Sequence, residues 1–241
     1  MIARRDLAAD NYRMHDKAHT SGLWVFAYGS LMWRPDFQFV EARRARLSGW
    51  HRRFCIVSRY YRGSAENPGL LLGLDRGGVC EGIAFKIAAE RTREVLTYLR
   101  VREQISGVYR EGRLAIDIHA GETGAKPQRR TAVVFLAEPA HPSFMPRLPM
   151  AQQARIIANA RGSTGSNFEY LANTVGELKR MGIAERELER LIALIGPIRA
   201  ANIGGPGRRL RLPLRRVPNW PLGPRYRLSD VKRFAYRSRM G

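Results

Sequence analysis

Apolar positions along this chain come in two textures. From Leu23 to about residue 138 they form short runs or alternate with polar residues, the period of β-strands. Beyond that point they recur every three or four residues, the period of amphipathic helices. The first texture predicts a buried strand from Leu23 to Tyr28 and a long strand over 45–61, bent at Gly49. Two further strands, 69–75 and 79–87, are separated by Arg76-Gly77-Gly78, which reads as a hairpin turn. Residues 88–104 switch to helical spacing with Val95, Leu96 and Leu99 inward, and strands return over 107–119 and 130–138.

A proline-rich passage, "PAHPSFMPRLP", then opens the helical texture. Helices are expected over 150–162, 167–182 and 184–196, with Gly162, Gly182 and Gly196 at their C-terminal caps. Ser166 followed by Glu169 fits a capping box at the start of the second. About six strands interrupted by one helix and finished by a helical layer make an α+β protein, because strands and helices do not alternate regularly.

Composition narrows the picture modestly. The 241 residues carry no apolar run of about 18, so no membrane-spanning helix is expected, and the polar start lacks a signal peptide's apolar segment. A cytoplasmic protein is the simplest expectation. Cys55 and Cys80 lie in separate strand-like runs and are expected as free, buried thiols. The five histidines are scattered, and no ligand cluster suggests a metal.

Charge changes the picture at one end only. The formal net charge is +21, and residues 202–241 hold eleven Arg or Lys against Asp230 alone. The expected organisation is a leader over 1–22, one folded domain over 23–200 and a basic, arginine-rich tail over 201–241. Trp220, Tyr226, Phe234 and Tyr236 interleave with the tail's arginines, so it reads either as a weak binder of RNA or an anionic surface, or as a solvated appendage.

Two obvious motifs fail on inspection. "RGSTGSN" (161–167) precedes a helix but lacks the Gly-Lys-Ser/Thr of a phosphate loop and follows a helix where a strand is required. "AYGSLM" lacks the flanking glycines of a nucleophile elbow. Two other places keep a functional and a structural reading side by side. In "WVFAYGSLMW" (24–33) the strand ends at Gly29, where backbone N–H groups can face an oxyanion and Tyr28 and Trp33 can wall a site. The alternative is a strand end whose aromatics simply fall into the core. Glu103 ends the 88–104 helix, at the negative end of its dipole. Partly buried, it would suit proton transfer; exposed, it would merely pair with Arg100, Arg102 or Arg110.

Taken together, "VFAYGSLMWRPDF" (25–37), "VREQISGVYR" (101–110) and "ARGSTGSNFEYLANTV" (160–175) resemble the ChaC family of glutathione-specific γ-glutamylcyclotransferases. "GWHRRFCIVSRYYRG" (49–63), "NPGLLLGLDRGGVCEGIAFKI" (67–87) and "AHPSFMPRL" (140–148) are similar too, in order and spacing from Leu23 to Ile195. The resemblance implies a small mixed β-barrel with packed helices and a cofactor-independent lyase acting on glutathione. It implies a γ-glutamyl-binding loop at Tyr28, Gly29, Ser30, Leu31, Met32 and Trp33, working largely through backbone amides, and a catalytic Glu103. "REQISGVYR" is a residue or two longer than the family's short form, which leaves the role of Tyr109 open. A relative acting on other γ-glutamyl peptides or amines fits the same residues, and nothing in the sequence fixes the oligomeric state.

Overall fold

The computed structural model describes residues 22–104, 106–120 and 126–201. Residues 202–241 of the basic tail and 1–21 of the expected leader lie outside the described residues. Five strands close into a barrel: β1 (Leu23–Ala27), β2 (Glu41–Ser58), β3 (Gly69–Ile87), β4 (Tyr109–Ile118) and β5 (Gln128–Ala137). Their order around the barrel is β1-β3-β2-β4-β5, antiparallel throughout except for the parallel pairing of β5 with β1 that closes it. Four helices accompany it: α1 (Thr92–Gln104), α2 (Met150–Asn159), α3 (Asn167–Arg180) and α4 (Arg186–Ala201). Between α2 and α3 lie two 2-residue strands, β6 (Arg161–Gly162) and β7 (Gly165–Ser166).

Alternation along the strands builds two large cores and a small cluster of Cys55, Ile56, Val108 and Ala137. One joins Phe26 and Tyr28, Ala45 and Leu47, Leu74 and Ala84, Ile116 and Ile118, and Val134 and Leu136; its buried members all come from the barrel strands and the residue that follows β1, so it fills the barrel. Their neighbours on the other face, among them Val25, Phe54, Leu72, Phe85 and Phe135, pack against Leu99, Ile156, Leu171, Val175, Leu191 and Ile195 of the helices. The period-2 and period-3.6 patterns of the sequence meet in that second layer. Cys55 and Cys80 are free and buried in different clusters.

Three expectations need correction. Arg76-Gly77-Gly78 does not reverse the chain: residues 69–87 run as one strand of 19 residues along the 18 of β2. The register shifts between Ser48 and Trp50, where Gly49 (φ 81°) faces Gly77 (φ 90°) and Gly78 (φ 70°). Because β2 supplies partners on both sides of the glycines, their left-handed conformations make a bulge that bends the ribbon into the barrel. The six expected strands are therefore five, and the short β6–β7 hairpin is an addition that the periodicity does not predict. Gly162 caps no helix, since α2 stops at Asn159 and Gly162 enters β6. Gly196 caps none either, because α4 continues through it and Pro197 on an exposed face. The Ser166–Glu169 capping box is present, and Gly182 (φ 67°) follows α3 as expected.

The long β2–β3 ribbon overshoots its neighbour. β1 pairs with β3 only over Ile83–Ile87, so residues near Leu70 and Leu72 have a strand on one side alone. Side chains take the place of the missing strand. The Asn167 amide accepts from Leu70 N–H at 2.6 Å and donates to Leu70 C=O at 2.7 Å, mimicking a backbone partner. Leu72 N–H donates to Tyr170 Oη at 3.3 Å, and Tyr109 Oη donates to Leu72 C=O at 2.7 Å. Buried backbone groups demand such partners.

No helix among the described residues is long and apolar enough to cross a membrane. Asn167 is fully buried, so Asn167→Ala is expected to leave both polar groups of Leu70 unpaired and destabilise the fold by about 2 kcal/mol or more, read from urea denaturation. Asn167→Asp keeps the acceptor but sets a carboxylate oxygen against Leu70 C=O in a buried site, so it is expected to destabilise the fold at pH 7 at least as much.

Candidate active site

The stretch that ends β1 turns at once into a short 3₁₀ helix, Ser30–Met32. Met32 N–H donates to Gly29 C=O at 3.0 Å and Arg34 N–H to Ser30 C=O at 2.8 Å. The first amides of such a turn, those of Ser30 and Leu31, precede any acceptor the turn can supply. Tyr28 closes the barrel core below, 7% exposed, its hydroxyl donating to Phe135 C=O at 2.7 Å. Leu31 and Met32 are buried against the helices. Their side chains are thus committed to packing, and what Tyr28, Leu31 and Met32 can offer a ligand is backbone. This resolves why the turn is apolar: it is buried on both flanks.

Ser30 and Trp33 are the partly exposed residues of the turn, while Gly29 is buried. A Cβ placed on Gly29 would stand 3.1 Å from Tyr170 Oη, so a side chain there would crowd the phenol. Trp33 is half-buried, donates from Nε1 to Thr174 Oγ1 at 3.2 Å, and meets the Tyr170 ring edge-on at 6.3 Å. Helix α3 therefore supports the turn through Tyr170 and Thr174, one helical turn apart.

Glu103 occupies the last turn of α1, and its side chain retains 17% exposure. Its immediate partner is Arg102, whose Nε lies 3.1 Å from Glu103 Oε1. The same guanidinium donates to Ser30 Oγ at 3.3 Å, Arg34 C=O at 2.7 Å, Pro35 C=O at 3.2 Å and Tyr98 Oη at 3.0 Å. Asp36, at 3.7 Å, adds a weaker charge contact. One largely buried guanidinium thus ties the glycine turn to the glutamate, bringing together residues more than seventy positions apart.

The electrostatics follow from this crowding. Burial pushes the Glu103 carboxyl above the usual glutamate range, while Arg102 pulls it back part of the way. Burial raises the phenols of Tyr28 and Tyr109 well above ordinary tyrosine, and the Glu103 charge adds to it. Tyr61, Tyr98 and Tyr170 are raised too, with burial again leading and Glu103 contributing. Glu103 thus lies among neutral phenols, held by Arg102. Such a carboxylate can take a proton from a substrate and return it. No group of three or more His, Cys, Asp or Glu side chains among the described residues could hold a metal ion.

The sequence-expected residues therefore gather at one end of the barrel: Tyr28 to Trp33 on one side, Glu103 on the other. Sequence reasoning misses the parts between them. It offers Arg102 only as a surface partner of Glu103, and it gives Tyr170 and Thr174 no role. The helical stripe Tyr170-Leu171-Thr174-Val175-Leu178 is legible as an inward face, but its target is not.

Comparison with known proteins supplies context. The family model described as ChaC-like protein matches residues 23–198. The glutathione-specific γ-glutamylcyclotransferase of Escherichia coli is 35% identical over 180 residues, spanning 75% of each chain. The human glutathione-specific γ-glutamylcyclotransferase 1 is 32% identical over 178 residues, 73% of this chain and 78% of the relative. In structure, a γ-glutamylcyclotransferase specific to glutathione from yeast superposes with a TM-score of 0.69 at 24% identity, covering 75% of this chain and 98% of that one. The barrel with its helices is the fold of that protein.

A buried, ionised carboxylate opposes folding. Since the Glu103 pKa is raised in the folded state, its contribution to stability is fully present below the unfolded glutamate pKa and is lost as pH rises through the folded value. Glu103→Gln is therefore expected to melt at a higher temperature than the parent protein at pH 7. The difference is expected to shrink as pH falls toward about 4, the unfolded glutamate value, followed by calorimetry.

Proposed function

The chain belongs to the ChaC-like protein family, and from that premise we propose that it is a γ-glutamylcyclotransferase that cleaves glutathione to 5-oxoproline and Cys-Gly. The observation that carries this reading is the Arg102 guanidinium, which joins a largely buried glutamate to the glycine turn. The names of the relatives at 32% and 35% identity support glutathione as the substrate.

The reaction is an internal transfer. The α-amine of the γ-glutamyl group attacks its own γ-carbonyl carbon, a five-membered lactam forms, and the amide bond to the cysteinyl nitrogen breaks. No water is consumed. Because nucleophile and electrophile share one residue, the protein need only hold the folded-back conformer, which can offset several kcal/mol of barrier. At neutral pH the amine is protonated and inert. Glu103, raised above the usual carboxylate range yet ionised beside Arg102, takes that proton and then delivers one to the departing nitrogen. The amides of the Gly29–Leu31 turn hold the γ-glutamyl group and face the oxyanion of the tetrahedral intermediate. Ser30 is a binding residue here: its hydroxyl accepts from Arg102, a cation that cannot serve as the base a nucleophilic serine needs.

Arg102 acts as a positioning residue. It aims the Glu103 carboxylate, fixes the turn, and limits how far burial raises the pKa of the base.

Product analysis with glutathione, γ-glutamyl-alanine and glutathione disulfide, offered separately, tests the reading. Release of 5-oxoproline from glutathione is expected, and preferential turnover of γ-glutamyl-alanine would move the enzyme to a different substrate class. Glu103→Gln is expected to lower kcat by roughly a hundredfold or more, and Ser30→Ala by far less. Near-normal turnover by Glu103→Gln would sink the mechanism. Removing the neighbouring charge in Arg102→Met is expected to raise the Glu103 pKa further. The acid limb of the kcat profile should then move to higher pH, whereas Arg102→Lys should leave the limb near its place and raise KM.

A further inference from the structure

We propose that Arg62 is a specificity-determining anchor for a carboxylate group of the substrate, set on the wall of the glycine turn. The inference rests on the γ-glutamyl reading of that turn, and it begins from a charge that the fold buries without neutralising. Arg62 is 7% exposed, yet it forms no ion pair within the described residues. Its Nη1 donates to Ser166 C=O at 3.2 Å, a neutral acceptor. Glu169, the acid whose charge bears on it, is held by Ser166 in the capping box through N–H at 2.7 Å and Oγ at 3.0 Å. Arg34 adds a second positive charge nearby. A buried guanidinium with no direct ion pair is costly.

The position is as telling as the charge. The guanidinium carbon lies 6.0 Å from the Trp33 ring centre and 5.6 Å from that of Tyr170. Trp33 is the last residue of the turn, and Tyr170 Oη is the atom that a Cβ on Gly29 would meet. The cation is thus carried on two aromatic rings that themselves line the turn. Nη1 is taken by Ser166 C=O and no hydrogen bond among the described residues uses Nε or Nη2, so two donors of the fork that recognises carboxylates are uncommitted.

The loop that holds Arg62 is fastened from three directions. Arg62 N–H donates to Ser58 Oγ at 3.0 Å. The β6–β7 hairpin binds the loop through Ser163 N–H to Tyr60 C=O at 2.9 Å and Thr164 N–H to Tyr61 C=O at 3.1 Å. A Cβ on Gly63 would approach Gly69 N to 2.0 Å, and one on Gly162 would approach Tyr60 C=O to 2.3 Å, so only glycine permits this packing. "RGSTGS", which lacks the pattern of a phosphate loop, clamps the backbone that presents Arg62. A site fastened through its backbone is preorganised before any ligand arrives.

Glutathione carries two carboxylates, one on the α-carbon of the glutamyl group and one at its C-terminus. Calorimetric titration distinguishes them, using Glu103→Gln protein to prevent turnover and glutathione or its C-terminal carboxamide as ligand. Adding Arg62→Gln is expected to weaken glutathione binding about ten- to hundredfold, the loss typical of a charged hydrogen bond. If Arg62→Gln weakens glutathione but not the carboxamide, the anchor holds the terminal carboxylate. If it weakens both equally, it holds the α-carboxylate. Unchanged glutathione affinity in a variant that melts cooperatively overturns the proposal. Should Arg62→Gln not fold, Arg62→Lys, which keeps the charge but not the fork, is expected to bind several-fold more weakly, and unchanged affinity there overturns it equally. Turnover by protein with Glu103 intact is scored separately. Arg62-dependent binding without turnover would sink the cyclotransferase reading alone, and turnover with Arg62-independent binding would sink the anchor alone.

Discussion

The hydrogen bonds made by side chains to Leu70 and Leu72 organise this molecule. Closing a small barrel from a very long two-stranded ribbon leaves part of β3 with a strand on one side only. Its free N–H and C=O groups are buried under the helices and must be paired. Asn167, Tyr170 and Tyr109 pair them, from α3 and from the first residue of β4. Once α3 is locked there, Tyr170 stands against Gly29, Thr174 supports Trp33, and the capping-box turn places Ser166 under Arg62. A backbone-satisfaction problem in the fold thus becomes the scaffold of the site.

Two arginines then divide the electrostatic work around the glycine turn. Arg102 is surrounded by acceptors and by two carboxylates, so its charge is taken up by internal bonds that fix the turn and the glutamate. Arg62 has aromatic faces and one carbonyl, so its charge stays available. The first geometry suits positioning and the second suits binding. Glu103 sits between burial, which favours its neutral form, and Arg102, which favours its ionised one. A base that must both accept and return a proton works best when neither influence wins outright.

The legible and illegible parts of the fold separate along physical lines. Strand and helix textures, the bend at Gly49, the capping box at Ser166 and the glycine after α3 follow from local period and local backbone chemistry. The hairpin at Arg76-Gly77-Gly78 fails because a left-handed glycine pair is equally a turn or a bulge. Only the presence of β2 along both flanks decides which. Gly162 and Gly196 fail for a related reason: a helix ends where packing ends, and Gly alone does not say where that is.

For the site, the sequence by itself determined the ingredients: a glycine at a strand end, an acid in the last turn of a helix, and the motifs in register that mark the ChaC-like family. It also placed apolar Leu31, Met32 and Trp33 where an ordinary turn is polar. Only the tertiary structure decided which atoms of these residues are available. It buried the side chains of Tyr28, Leu31 and Met32 and left their backbone, brought Arg102 between Ser30 and Glu103, and set Arg62 on Trp33 and Tyr170. Most of those contacts join segments far apart along the chain. Their formation depends on barrel closure, a global constraint that no local period encodes.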